Sequence, residues 1–203
     1  MLSKTKHTIA AIILSGGQGS RLGGKDKGLQ DYNGKALIAW VIEAISSQVD
    51  QTIISINRNI EAYKIFNLPT VIDDTRGEFN GPIAGILSAS KALKKHDSYD
   101  QNADYILIAS CDSPNLPTNY VGKLYQSIIE SDLDVALVHD GKRNQNLHCL
   151  INIKSIPSLQ SYFNSQGRSM HGWFKQVKSA TVDFSSQTNC FININSMHDL
   201  AKD

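Results

Sequence analysis

The chain carries six glycines in the fifteen residues from Leu14 to Gly28, directly after the apolar run "IAAII". An ordered glycine loses more backbone freedom on folding than any other residue, so a plain turn would use only one or two. Arg21, Lys25 and Lys27 lie in the same stretch. We therefore predict a buried strand that opens into a loop whose backbone N–H groups and basic side chains bind an anion. The alternative is a glycine loop with solvated lysines and no ligand.

Short apolar runs alternate with segments of helical period along the rest of the chain. The predicted strands are Thr8–Leu14, Thr52–Ile56, Thr70–Ile72, Tyr105–Ala109 and Val135–His139. One helical stripe comprises Leu37, Val41, Ala44 and Ile45, and another comprises Ile83, Ile86, Leu87, Ser90 and Leu93. A third helix is predicted after Pro117, with Thr118 near its cap. This alternation favours a three-layer α/β/α sandwich with a mostly parallel, Rossmann-like sheet.

The last quarter of the chain is less regular. Its apolar runs at residues 147–153 and 190–194 are predicted to add antiparallel strands, because no clear crossover helix separates them. The length of 203 residues fits one domain over residues 1–203. In such open sheets the ligand lies beyond the carboxyl ends of the strands. We expect the site at that edge, where the glycine loop, Ser55, Asp74 and Asp112 follow four predicted strands.

Composition excludes several classes of partner. The net charge is +1, with 20 Lys and Arg against 19 Asp and Glu, so nothing indicates bulk binding of nucleic acid or of an acidic membrane surface. No apolar run approaches the roughly 20 residues that span a bilayer, and no signal-peptide pattern is present. The cysteines at 111, 149 and 190 are widely spaced and indicate reduced thiols. We expect a cytoplasmic protein.

The glycine loop matches two familiar phosphate-binding motifs only in part. Residues 19–25 read G-x-x-x-x-G-K, but Asp26 follows where a P-loop has Ser or Thr for magnesium. The third glycine of G-x-G-x-x-G falls on Leu22, and no acidic residue ends the second strand to hold a ribose. The six histidines show no metal-ligand spacing, and His148 and His171 are more simply structural. The loop alone therefore predicts an anion site without naming the nucleotide.

The run "LSGGQGSRLGGKDKGL" resembles the signature L-x-G-G-x-x-x-R-x-G-G-x-D-K-G of the molybdenum cofactor guanylyltransferases. The segments "NGKALIAWVIEAI", "SINR", "GPIAGI", "SCDSPNLP" and "FININS" resemble further motifs of that family along almost the whole chain. The resemblance implies the nucleotide-diphospho-sugar transferase fold. It also implies a reaction in which GTP and a molybdopterin-type cofactor phosphate give the guanine dinucleotide cofactor and pyrophosphate. Proteins that deliver and insert the cofactor are implied as partners.

Roles for individual residues follow from the same resemblance. The nucleotide is expected along the backbone of Leu14, Ser15, Gly16 and Gly17, with Arg21 and Lys27 on its β and γ phosphates. Arg suits this role because its planar fork binds two phosphate oxygens at once. Lys25 occupies a variable position of the signature, and a solvated surface lysine is an equal alternative for it.

Asp112 is the strongest single candidate outside the loop. It follows an apolar strand at the ligand edge, and Mg²⁺ prefers one or two carboxylates together with substrate phosphates. The alternative is an Asx-turn or helix cap before Pro114. Asn193 and Asn195 alternate along a predicted strand and match positions that complete the metal and phosphate environment in relatives, with capping as the alternative. Arg168 is the candidate for the cofactor's phosphate.

Base choice is carried by other positions. Asp74 matches the family's nucleotide-binding aspartate, and a carboxylate can accept the N1–H and N2–H₂ donors of guanine. Ser55 departs from the family's usual Asn, and Asn146 stands where relatives commonly have proline. Two other functions remain open from the residues: a cytidylyltransferase of the same fold acting on a pterin, sugar or polyol phosphate, and a non-catalytic GTP-binding module. Intact Arg21, Lys27 and Asp112 argue against the second.

Overall fold

A twisted β-sheet forms the centre of the fold. The computed structural model describes residues 7–16, 26–72, 80–93 and 103–194. Nine strands are present in this part of the chain: β1 (Ile9–Leu14), β2 (Asp31–Tyr32), β3 (Lys35–Ala36), β4 (Gln51–Ile56), β5 (Thr70–Ile72), β6 (Tyr105–Ser110), β7 (Val135–His139), β8 (Asn144–Asn152) and β9 (Ser179–Asp183). Seven of them form one sheet in the order β5-β4-β1-β6-β8-β7-β9, and β2 and β3 form a separate short hairpin.

The sheet is mostly parallel, as predicted. Parallel pairs join β1 to β4, β1 to β6, β4 to β5 and β7 to β9. Strand β8 is antiparallel to both of its neighbours, β6 and β7, which confirms the antiparallel addition predicted at residues 147–153. Strands β1 and β6 are buried along nearly their whole length because helices cover both faces of the sheet.

Helices lie on the two faces of the sheet. They are α1 (Leu37–Ser46), α2 (Ile60–Tyr63), α3 (Gly81–Leu93), α4 (Tyr120–Ser131), α5 (Ile156–Asn164) and α6 (Met170–Phe174), with 3₁₀ turns at Lys64–Phe66, Ile153–Ser155 and Ser185–Phe191. Side chains of α1, α2 and α4 pack on one face and those of α3, α5 and α6 on the other. The stripe predicted from Ile83 to Leu93 is fully buried, and α4 begins close to the predicted start. The three-layer sandwich is confirmed.

The carboxyl-terminal part of the described chain differs from the prediction in two ways. Residues 190–194 form no strand: Cys190 and Phe191 end a 3₁₀ turn, and the next three residues are irregular. This segment buries Phe191 and Ile194 and donates one backbone hydrogen bond, from Ile194 N to Asp112 O at 2.9 Å. Asn193 therefore lies on an irregular segment, not on the predicted strand. Strand β9 was not predicted, because "SATVD" is a short edge strand whose exposed side chains give no apolar run.

No helix among the described residues is long and apolar enough to cross a membrane. The three cysteines are free thiols, and Cys111 and Cys149 are buried. Burial raises the pKa of the Cys111 thiol to about 12.

Candidate functional site

Strand register brings the candidate residues to one edge of the sheet. Leu14 at the end of β1 pairs with Ser55 of β4 on one side and with Ser110 of β6 on the other. The backbone continues this pairing, since Ser15 N donates to Ser55 O at 2.8 Å and Cys111 N donates to Leu14 O at 3.1 Å. The starts of the glycine loop and of the Asp112 turn therefore lie side by side.

Lys27 and Asp112 meet at this edge. The Nζ of Lys27 donates to Oδ2 of Asp112 at 2.5 Å, and both side chains are largely buried. The other carboxylate oxygen, Oδ1, is buried and accepts no hydrogen bond within the described part of the chain. The Asx-turn predicted as an alternative for Asp112 would need this carboxylate to accept a backbone N–H, and none of the described backbone groups makes that bond. The carboxylate lies in the wall of a cavity instead.

The unpartnered Oδ1 of Asp112 is chemically suited to bind a divalent cation. A buried carboxylate oxygen without a partner costs free energy unless something occupies it, and a cation does so. The described residues contain no group of three or more His, Cys, Asp or Glu that could hold a metal without a ligand's help. Asp112 alone fits Mg²⁺, which commonly binds one or two carboxylates and takes its other ligands from phosphates and water.

Asp26 precedes Lys27, but its carboxylate is buried and bonded to other protein side chains. Its Oδ1 accepts a hydrogen bond from the Tyr63 hydroxyl at 2.7 Å, and its Oδ2 accepts one from Nδ2 of Asn59 at 3.1 Å. Tyr63 uses its proton on Asp26, so the 2.6 Å contact between Tyr63 and Ser15 has the Ser15 hydroxyl as donor. Burial raises the pKa of Tyr63 and keeps this donor protonated. Ser15, before segment 17–25, and Asp26, after it, are thus both hydrogen-bonded to Tyr63.

Gly28 is required by the same network. A Cβ at this position would lie 2.0 Å from Oγ of Ser15 and 2.8 Å from the Tyr63 hydroxyl oxygen. Both distances are shorter than real Cβ contacts, so any larger residue would displace the Ser15–Tyr63–Asp26 network. The glycine that ends the signature is explained by close approach of buried polar side chains.

Two cavities meet at the ends of β1 and β6. The smaller has a volume of about 170 Å³ and lies along the start of the glycine loop and the first turn of α3; it is lined by Leu14, Gly16, Ser55, Asn57, Gly81, Pro82, Gly85, Ser110 and Leu147. Ser55 is buried here, and a Cβ on Gly85 would lie 2.6 Å from its Oγ. The first turn of α3 therefore approaches β4 closely only because Gly85 has no side chain.

The larger cavity has a volume of about 320 Å³ and shares Ser110 and Leu147 with the smaller one. Its other lining residues are Asp112, Arg143, Asn144, Gln145, Asn146, His148 and Asn193. A bulge in β8 creates much of this wall: Leu137 of β7 pairs with Cys149, but the next residue, Val138, pairs with Gln145. Residues 146–148 therefore leave the ladder and turn toward the cavity.

Asn146, which stands where relatives commonly have proline, lies in this bulge. Its Oδ1 is buried and has no hydrogen-bond partner among the described residues. The turn before it is held by Asp140, whose Oδ2 accepts from Nε2 of Gln145 at 2.7 Å and whose Oδ1 accepts from the backbone of Arg143 at 2.8 Å. These hydrogen bonds keep the pKa of Asp140 below its usual range, even though burial alone would raise it. The turn is ordered without the proline.

Arg168 is not brought to either of these two cavities. Its guanidinium donates to the carbonyl oxygens of Phe163 and Gly167 at 2.8 and 2.9 Å and stacks 4.4 Å from the ring of Phe163. These contacts cap the end of α5, where helix carbonyls lack internal partners. The structure gives Arg168 a helix-capping role, and its binding to a cofactor phosphate stays a prediction. Gly17, Arg21, Lys25, Asp74 and Asn195 lie outside the described residues.

Sequence reasoning missed the polar contacts behind the site, which are made by four buried side chains and the exposed Asn59. Tyr63, Asn59 and Asp26 hold the ends of the glycine loop, while Ser113 and His148 lie behind Asn193. Two of them carried a local signal: Ser113 lies between Asp112 and Pro114 in "CDSP", and Asp26 is the aspartate of the glycine-loop signature. Tyr63, Asn59 and His148 belong to no motif, and these partners are 33 or more residues distant in the chain.

Comparisons with known proteins identify the family of the chain. Residues 11–181 match the family model described as the MobA-like NTP transferase domain. The chain is 38% identical over 193 residues, covering 95% of this chain and 97% of the relative, to a molybdenum cofactor guanylyltransferase from Mannheimia succiniciproducens. It is 36% identical over 191 residues to a protein of the same name from Vibrio parahaemolyticus, covering 94% of this chain and 92% of the relative.

Solved structures with low sequence identity share the fold. The crystal structure of molybdopterin-guanine dinucleotide biosynthesis protein A from Archaeoglobus fulgidus superposes with a TM-score of 0.73 at 21% identity, covering 94% of each chain. A nucleotidyl transferase from Methanothermobacter thermautotrophicus gives 0.68 at 20% identity, covering 96% of this chain and 94% of that one. Taken with the family match and the curated relatives, these findings show that the chain belongs to the molybdenum cofactor guanylyltransferases, within the MobA-like NTP transferase family.

Proposed function

We propose that this protein transfers GMP from GTP to the terminal phosphate of a molybdopterin cofactor and releases pyrophosphate. The observation that carries the proposal is the position of the Lys27–Asp112 pair beside two cavities that share Ser110 and Leu147. A group-transfer enzyme must hold donor and acceptor on either side of one reacting atom, and this arrangement offers two adjoining sites with a charged pair beside them. The names of the relatives supply the identity of the two substrates.

The nucleotide is assigned to the smaller cavity. Its wall contains the end of β1 and Gly16, so the backbone at the start of the glycine loop faces the ligand. Exposed backbone N–H groups in such loops bind phosphate oxygens. The acceptor is assigned to the larger cavity, whose wall is rich in amide side chains and includes Arg143 and Asp112. Shared residues Ser110 and Leu147 mark where the two substrates would meet.

The reaction requires little covalent chemistry from the protein. An oxygen of the acceptor's phosphate monoester attacks the α-phosphorus of GTP, a new P–O bond forms, and the bond to the β-phosphate oxygen breaks. Negative charge accumulates on the departing pyrophosphate, and fixed positive groups stabilise it. Lys27 is held in place by Asp112 and supplies such a charge, and the family signature assigns the same task to Arg21.

Asp112 fits Mg²⁺ on the evidence of its unpartnered Oδ1. Bound there with the phosphate oxygens, the ion would neutralise charge on the triphosphate. The three free thiols are consistent with a reducing compartment, and we propose the cytoplasm as the location.

The test is product analysis with the purified protein. GTP labelled at the α-phosphate, Mg²⁺ and molybdopterin cofactor should give a labelled dinucleotide and one pyrophosphate per dinucleotide. Label must stay with the GMP moiety, because the bond that breaks lies between the α-phosphorus and the β-bridging oxygen. Parallel reactions with labelled CTP and with Asp112→Asn protein serve as controls. Formation of the cytosine dinucleotide in preference to the guanine one would overturn the proposal.

A further inference from the structure

A chain of buried hydrogen bonds runs from the protein interior to the larger cavity. Oγ of Ser113 lies 2.9 Å from Oδ1 of Asn193 and 3.0 Å from Nε2 of His148. On the far side of the imidazole, Nδ1 lies 3.4 Å from the hydroxyl of Tyr120. Ser113 and Tyr120 are fully buried and His148 is 1% exposed, whereas Asn193 lines the cavity. The catalytic assignments above use none of the three buried residues.

The direction of this chain can be worked out from its donors and acceptors. The amide oxygen of Asn193 can only accept, so the Ser113 hydroxyl uses its one proton on that oxygen. Ser113 must then accept from His148, and Nε2 of His148 carries the proton. Burial lowers the pKa of His148 to about 4, although nearby Asp112 raises it, so the ring stays neutral and Nδ1 carries a lone pair. The Tyr120 hydroxyl donates to Ile108 O at 3.1 Å, so its longer contact of 3.4 Å with Nδ1 does not set the tautomer, which follows from the Ser113 side of the ring.

We propose that His148 and Ser113 are positioning residues that fix the amide of Asn193 with its oxygen inward and its N–H₂ group toward the acceptor's phosphate. The proposal rests on the proposed function, because it assigns a task to the cavity that would hold the acceptor. It makes Asn193 a hydrogen-bond donor to phosphate, not an oxygen ligand of a metal ion.

The orientation matters because the two ends of an amide have opposite polarity. An N–H₂ group stabilises a phosphate dianion, whereas an amide oxygen in the same place would repel it. An unconstrained asparagine on an irregular segment can rotate between the two arrangements. A buried donor that binds the oxygen removes this choice before the substrate arrives, which is the preorganisation expected of a binding group.

Steady-state kinetics with GTP and the molybdopterin cofactor test the proposal. Ser113→Ala and His148→Leu remove the buried donors and should raise KM for the acceptor on the order of tenfold, with KM for GTP unchanged within about twofold. His148→Gln restores an N–H near the Nε2 position and should recover most of the acceptor affinity. Ser90→Ala removes a buried serine hydroxyl that donates to Ile86 O at 2.7 Å in α3, and it should leave both constants unchanged.

Asn193→Asp provides the sharpest contrast. It keeps the oxygen that accepts from Ser113 and replaces only the N–H₂ group with a charged oxygen, so acceptor binding should weaken more than in Asn193→Ala. If Asn193→Asp binds the acceptor as well as the wild type, or if Ser113→Ala and His148→Leu leave its KM unchanged, the proposal is wrong. Wild-type activity in the same assays separates this outcome from failure of the proposed function.

A spectroscopic test observes the tautomer of His148 directly. Long-range ¹H–¹⁵N correlation spectra of the wild-type protein distinguish a histidine protonated at Nε2 from one protonated at Nδ1. His148→Leu protein identifies the resonance by its loss. The Nε2–H tautomer is expected, and an Nδ1–H tautomer would reverse the chain of hydrogen bonds and overturn the proposal.

Discussion

Nζ of Lys27 lies 2.5 Å from Oδ2 of Asp112, although 85 residues separate them in the chain. Lys27 follows the glycine-rich segment and Asp112 follows β6, which is paired directly with β1. The parallel register therefore brings a cation and a carboxylate from two separate motifs into one ion pair. The other oxygen of Asp112 is buried and accepts no hydrogen bond from the described residues, which leaves it available for the cation that the proposed function requires.

Asp112→Asn is expected to abolish turnover while leaving the fold intact. The substitution preserves shape but removes the negative charge that would bind the divalent cation. The measurements are pyrophosphate release at ordinary Mg²⁺ concentrations and the thermal unfolding midpoint. Asp132→Asn is the control, because Asp132 is exposed at the end of α4 and forms a surface ion pair with Lys178. Wild-type rates from Asp112→Asn would contradict the assignment.

Alanine substitutions should rank the three basic residues of the glycine loop by their contribution to the reaction rate. Lys27→Ala and Arg21→Ala are each expected to lower the rate on the order of a hundredfold, which is typical for loss of one preorganised charge-stabilising donor. Lys25→Ala should have a far smaller effect, because it occupies a variable position in the family signature. Rates of pyrophosphate release at saturating GTP measure the difference. The alignment of the signature on this loop is wrong if Lys25→Ala is the most damaging of the three.

Gly28→Ala should destabilise the protein by about 1 to 3 kcal/mol, as overpacking of a closely packed site commonly does. The new methyl group would lie 2.0 Å from Oγ of Ser15 and must break the Ser15–Tyr63–Asp26 network. Gly122→Ala is a matched control in α4, where nothing lies within 4 Å of an added Cβ. It should stabilise the helix by up to about 1 kcal/mol. Chemical denaturation of both variants measures the contrast, and equal effects would contradict it.

Much of the fold could be predicted from the sequence because its signals are local. Apolar runs predicted the strands β1, β4, β5, β6 and β7 within a residue or so at each end, and all of these except the edge strand β5 are mostly buried. Strand β9 was missed because it lies at the edge of the sheet and its side chains are partly or fully exposed, so the sequence shows no apolar run there. Residues 190–194 were wrongly predicted as a strand, because Phe191 packs against the rings of Tyr120 and Phe184 and the segment donates a single backbone hydrogen bond to Asp112 O without forming a ladder.

Only those site residues that belong to a sequence motif could be predicted. Asp112 and Lys27 belong to signatures, and the structure brings them together. The bulge that directs Asn146 into the larger cavity depends on the register between β7 and β8, which no local pattern encodes. Tyr63 and His148 likewise act through partners that are distant in the chain.

His148 should make the protein sensitive to acid. Its native pKa of about 4 lies below the ordinary value of 6.5, because burial disfavours the charged ring. As the pH falls below 6.5, the unfolded chain binds a proton that the native state does not, so stability decreases until about pH 4. The total loss is about 3 kcal/mol.

The measurement is the free energy of unfolding of wild type and His148→Leu at several pH values. The difference between the two proteins should change by that amount between pH 7 and pH 4, because all other titrating groups are common to both. A difference that does not vary with pH would show that the histidine is not buried in its neutral form.

Base selectivity is the last prediction. Guanine presents adjacent N1–H and N2–H₂ donors, and the family resemblance assigns their recognition to Asp74. A base without these donors leaves acceptors in the protein unpaired, at a cost of about 1 to 3 kcal/mol for each buried group, so GTP should be preferred over ATP and CTP by roughly tenfold to a hundredfold or more. ITP should fall between GTP and ATP, because inosine keeps N1–H and lacks only the amino group. Competition assays at fixed Mg²⁺ measure the ranking, with Asp74→Asn expected to reduce the preference for GTP over ITP. If ATP competes as well as GTP, the carboxylate does not read the base, and a ranking with CTP first would move the protein to cytidylyl transfer.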